Sequence, residues 1–114
     1  MTHKELLSQL GQETTLTELQ TYVKKVIDLR GFGEETAQDV LLMLMEEVGE
    51  LAKAVRKQTG MPVDPNRLHN YDTVQSEVAD VMILVLSLCN VFGINAFDAV
   101  VEKEKVNSQR TWSV

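Results

Sequence analysis

Six consecutive residues, Val81-Met82-Ile83-Leu84-Val85-Leu86, carry no polar side chain. The periodicity around them is helical, so the run puts apolar groups on every side of a helix. Such a helix is normally covered all round. A chain of 114 residues has too few other helices to surround one of its own. The run therefore predicts an all-α fold of four-helix-bundle type, completed by homo-oligomerisation. No stretch alternates convincingly as a strand.

The remaining elements follow from caps and breakers. Lys4 to Leu10 reads as a short helical arm within residues 1–14. Thr15 and Glu18 have capping-box spacing and open a first main helix, with Leu16, Leu19, Val23, Val26 and Ile27 at intervals of three and four. Gly31-Phe32-Gly33 ends it. Thr36, with Asp39 three residues on, caps a second helix that runs to about Lys57. Residues 58–72 hold both prolines and read as a loop, longer than is usual in a small domain and so a candidate for function. A third helix spans Asp72 or Thr73 to Phe92, with Gly93 placed for a left-handed terminus. Asn95 caps a fourth, from Ala96 to about Gln109, and residues 110–114 form a tail. The whole chain, 1–114, reads as one domain.

Charge and cysteine content exclude several classes. Eleven Lys and Arg against 17 Asp and Glu give a net charge of −6, which argues against nucleic acid or an anionic membrane as partner. The single cysteine, Cys89, cannot form an internal disulfide, and a cytoplasmic setting is expected. The start of the chain is too polar for a secretory signal. The greasiest stretch, Val81 to Phe92, is shorter than the ~20 residues of a membrane span.

Four carboxylates stand where apolar residues belong. With Val40 taken as zero on the second helix, an apolar arc runs from Met43 through Ala54, Val40, Leu51, Leu44, Val55, Val48 and Leu41 to Ala52. Glu47 falls at about −20°, inside the arc, and Glu50 near −80°, at its edge; Glu46 lies further out, near −120°. On the third helix Glu77 and Asp80 are three apart, and Glu77 is in line with Val81, Leu84 and Leu88. The third helix carries no base, and Lys53 and Arg56 point away from Glu47 on this plot. Four acids with no inward-facing base make a set of hard oxygen ligands suited to Mg²⁺, Mn²⁺ or Ca²⁺ rather than Zn²⁺. A di-iron site would need Glu-x-x-His, and neither His3 nor His69 follows a Glu by three. Both histidines read as exposed bystanders. On the fourth helix Lys103, Asn107 and Arg110 are spaced four and three apart, a face that can pair with phosphates.

Glu47-Val-Gly-Glu50-Leu-Ala, then Glu77-Val-Ala-Asp80-Val, then Lys103, Asn107 and Arg110 resemble the MazG-like family of all-α nucleoside triphosphate pyrophosphohydrolases. The match spans roughly residues 31–110. The resemblance implies cleavage of an NTP or dNTP between the α- and β-phosphates to NMP and pyrophosphate, with Mg²⁺ or Mn²⁺. It implies that Glu47, Glu50, Glu77 and Asp80 are the catalytic and metal-holding residues, and that Lys103, Asn107 and Arg110 bind the nucleotide. It implies a dimer or tetramer with the site near the subunit interface. Phe32 and Tyr71 are candidates for the base pocket, and Trp112 is remote in sequence. Two alternatives remain: a helical oligomerisation or regulatory module without catalysis, and a related phosphoribosyl-ATP-type pyrophosphohydrolase.

Overall fold

The structure, a computed structural model, describes residues 1–61 and 73–110. Among these are five helices and no strand: α1 (His3–Ser8), α2 (Leu16–Leu29), α3 (Ala37–Gln58), α4 (Val74–Phe92) and α5 (Ala96–Asn107). Both expected capping boxes form. Thr15 and Glu18 exchange side-chain-to-backbone bonds of 3.1 Å at the start of α2, and Thr36 and Asp39 do the same at α3. Asn95 caps α5, its side chain accepting from the Asp98 N–H at 2.9 Å. Gly93 takes φ +67° after α4; its N–H bonds to the Asn90 carbonyl and the Ile94 N–H to that of Cys89. This is the paired closure that a left-handed residue permits.

Several boundaries differ from the sequence reading, among them α1, which ends at Ser8 rather than at Leu10. Gln58 is the last residue of α3 rather than the first of a loop. Residues 62–72, most of that expected loop, lie outside the described residues, as do His69 and Tyr71 within it and Trp112 in the tail. α5 stops at Asn107, two residues early, where the Ser108 hydroxyl turns back to the Lys105 carbonyl at 2.9 Å.

The chain divides into two compact units. One comprises Met1–Glu34 with the residues from Cys89 onward. Its core holds Leu6, Val23, Val26 and Ala96, so the spacing read on α2 does select the inner face. Gln20 is buried among them and binds the α4–α5 turn. Its Nε2 donates to Asn90 Oδ1 at 3.0 Å and to the Ile94 carbonyl at 2.7 Å, and its Oε1 accepts from the Ala96 N–H at 2.8 Å. That last bond satisfies one of the free N–H groups at the start of α5. His3 is not a bystander: its Nε2 lies 3.0 Å from the Tyr22 hydroxyl and its Nδ1 3.2 Å from Arg30 Nη2, which ties α1 to α2.

The other unit, Glu35–Leu88, contains α3 and most of α4. On α3, Val40 and Ala54 are buried, and Met43, Leu44, Glu47, Glu50 and Leu51 are half-buried. The inner face is thus narrower than the apolar arc and is centred near Glu47. The other flank of the arc, Leu41, Val48, Ala52 and Val55, is exposed. The same is true of α4. Val81, Leu84 and Leu88 turn inward with Glu77, whereas Val78, Met82, Ile83 and Val85 are 41–50% exposed. At 19 residues and a mean hydropathy of 1.5, α4 has the length and composition of a membrane span, although the sequence reading held this region too short. The acids Glu77 and Asp80 lie in the part of the helix that precedes its greasiest stretch.

Candidate metal centre

α3 and α4 bring three of the four expected carboxylates together. One oxygen each from Glu47, Glu77 and Asp80 lies within 4.8 Å of the others. Glu77 is the most enclosed, 1% exposed, and the other two are half-buried. Helical spacing accounts for the arrangement. Glu77 and Asp80 share a face of α4 because they are three apart, and Glu47 sits at the middle of the inner stripe of α3.

Glu50 does not join them. It lies one helical turn beyond Glu47, and its Oε1 is 3.4 Å from the Lys53 ammonium, with both side chains partly exposed. The sequence reading counted no base for these acids. Lys53 is that base, although it serves Glu50 and not Glu47. Glu46 is exposed.

The three gathered carboxylates fit a hard divalent cation. Octahedral Mg²⁺ at about 2.1 Å places neighbouring ligand oxygens roughly 3.0 Å apart and opposite ones roughly 4.2 Å apart. Oxygens already within 4.8 Å of one another need only small side-chain rotations to meet those spacings. The donor set is all oxygen, and among the described residues no His or Cys joins it. That excludes the usual zinc composition. Three like charges, one of them on the buried Glu77, are costly, and one dication cuts their net charge from −3 to −1.

The structure and the motif together match a known domain. The family model for the MazG nucleotide pyrophosphohydrolase domain matches residues 35–110, well over half of the chain and all of the carboxylates above. The chain belongs to the MazG family. Its fold is similar to the crystal structure of iMazG from Vibrio DAT 722, with a TM-score of 0.58 and 28% identity, covering 82% of this chain and 93% of that one. No curated protein matches. The MazG assignment makes the chain a nucleotide pyrophosphohydrolase, and the carboxylate cluster agrees with the metal dependence typical of such enzymes.

The expected phosphate-binding residues belong to the first unit. Lys103 is exposed on α5, and Asn107, the last residue of that helix, donates to Glu104 Oε1 at 3.1 Å. Arg110 follows in a turn, its N–H bonded to the Asn107 carbonyl at 3.1 Å. The three therefore do not lie on one uninterrupted helical face, since α5 ends before Arg110. Phe32, the describable candidate for a base contact, is 52% exposed beyond the end of α2.

Sequence reasoning missed Gln20 and set Lys53 aside as pointing away from Glu47. Gln20 falls at the edge of the apolar stripe of α2, at about 20° beyond Ile27, so its position carried a signal. Lys53 follows Glu50 by three, an ordinary helical ion-pair spacing.

Proposed function

We propose that this MazG domain, a single domain of residues 1–114, hydrolyses a nucleoside or deoxynucleoside triphosphate with Mg²⁺, Mn²⁺ being the alternative ion. Water adds to phosphorus, the oxygen bridge between the α- and β-phosphates breaks, and the products are NMP and pyrophosphate. The observation that carries this reading is the convergence of Glu47, Glu77 and Asp80 on α3 and α4 in a chain of this family.

Glu47, Glu77 and Asp80 hold the cation, and Glu50 completes the set. When bound, the ion neutralises the polyphosphate and lowers the pKa of a coordinated water. The carboxylates fix its place on two rigid helices. A carboxylate of this group, or the exposed Glu46, orients the attacking water and takes its proton. Lys103, Asn107 and Arg110 bind the phosphates: the two cations pair with phosphate oxygens and the Asn107 amide donates to one. Bridging by a divalent ion reconciles a net charge of −6 with a polyanionic substrate.

The exposed apolar flanks of α3 and α4 support a homodimer or homotetramer in which a second copy covers them. Only 17% of the apolar stretch of α4 is buried within the chain. Cys89 as the only cysteine fits a reducing, cytoplasmic setting. The test is incubation with a panel of NTPs and dNTPs, with and without Mg²⁺, reading pyrophosphate separately from orthophosphate. Mg²⁺-dependent pyrophosphate release is expected. Orthophosphate release without pyrophosphate refutes the cleavage position. Sedimentation should give at least a dimer mass, and a concentration-independent monomer refutes the oligomer.

A further inference from the structure

We infer that Lys53 is a positioning residue that holds Glu50 outside the carboxylate cluster until a divalent cation draws it in. The inference rests on the cation-site reading above and deepens it.

Glu47 and Glu50 are three residues apart on α3, so both can address one ion from neighbouring turns. They are nevertheless in different company. Glu47 meets Glu77 and Asp80, whereas Glu50 lies against the Lys53 ammonium at 3.4 Å. The separation has an electrostatic cause. A fourth carboxylate entering a cluster of three meets like charge from each, while Lys53 offers a cation one turn away.

The Lys53–Glu50 pair is suited to exchange. The side chains are 48% and 40% exposed, so water competes with the contact and holds it only weakly. The lysine stem is flexible and its ammonium can return to solvent. A dication bound by the other three reverses the balance for Glu50, since it cuts their net charge from −3 to −1 and offers a direct ligand position at about 2.1 Å, closer than the carboxylates that repel. The pair lowers apparent metal affinity in proportion to the fraction of molecules in which Lys53 engages Glu50, and removing it restores that affinity.

The experiment measures Mn²⁺ binding by calorimetry and by electron paramagnetic resonance. It uses the full chain as wild type, Lys53→Met, Glu50→Gln and the double variant. Methionine keeps most of the aliphatic stem and removes the charge; Lys53→Arg retains the pair and serves as the conservative control. Since an exposed pair is weak, Lys53→Met should tighten Mn²⁺ binding about two- to fivefold when Glu50 is present. It should leave affinity unchanged in the Glu50→Gln background, and Lys53→Arg should bind as wild type does. Equal tightening in both backgrounds overturns the inference, because it reports only repulsion between Lys53 and the ion. Unchanged or weaker binding by Lys53→Met also overturns it. A wild-type chain that binds no Mn²⁺ removes the cation site itself, an outcome distinct from the others.

Discussion

Neutralising Glu47 should change the stability of this protein in opposite directions with and without Mg²⁺. Three carboxylate oxygens within 4.8 Å of one another form three repulsive pairs. At that separation each pair of full charges costs about 1 kcal/mol in the dielectric of water and about 3.5 kcal/mol at an effective constant near 20. Glu47→Gln removes two of the three pairs. Glu47 and Asp80 are half-buried, so the lower end applies, and desolvating the new amide offsets part of the gain. The net expectation in EDTA is about 1–2 kcal/mol of stabilisation. For a chain of this size that raises Tm by roughly 3–10 °C. With Mg²⁺ the order reverses. A ligand at a hundred times its Kd stabilises the folded state by about 2.7 kcal/mol, and the variant forfeits most of that. Scanning calorimetry of both proteins across a Mg²⁺ titration should give melting curves that cross. A variant that melts lower than wild type by the same margin in EDTA and in Mg²⁺ refutes the reasoning, because Glu47 would then be a structural acid with no repulsion to relieve and no ion to hold.

Other substitutions separate the site from the scaffold. Glu50→Gln and Asp80→Asn should each abolish pyrophosphate release while leaving the sedimentation profile of the protein unchanged; normal turnover removes the residue from the site. Gln20→Leu should destabilise the first unit by about 2–4 kcal/mol, since the Ile94 carbonyl and the Ala96 N–H lose a buried partner, and urea unfolding measures it. The Glu18 carboxyl is held below its usual value, chiefly by the Thr15 backbone N–H and then by the Thr15 hydroxyl. Its contribution to the start of α2 is therefore present above the ordinary glutamate range and is lost as pH falls through the lowered value. Thr15→Ala keeps the backbone N–H and removes only the hydroxyl's smaller share, so it should partly flatten that part of the acid unfolding profile, whereas Glu18→Gln should remove it; an unchanged profile in Glu18→Gln counts against the capping box as its source.

Much of the site was legible because helical geometry converts spacing into direction. Glu77 and Asp80 share a face whatever else the chain does, and Glu47 falls inside the apolar arc of its helix at a fixed angle. Both caps of α2 and α3, and the left-handed Gly93, follow from local hydrogen-bonding rules of the same kind. Glu50 shows where spacing fails. Its angle put it beside Glu47, but the choice between two neighbours, a carboxylate cluster and a lysine, depends on charges contributed by another helix. His3 was misread for a similar reason, since its partners Tyr22 and Arg30 are far away in sequence.

By itself the sequence determined the helices, their N-terminal caps, the family and the acids that have no place in an apolar stripe. These depend on periodicity and on contacts within a few residues. Only tertiary structure decided which acids meet, which face of α3 and α4 turns inward, and that Gln20 binds a turn some seventy residues away. Those outcomes depend on where α3 and α4 place their side chains in space and on which buried groups find partners, and no spacing along one chain segment contains that information.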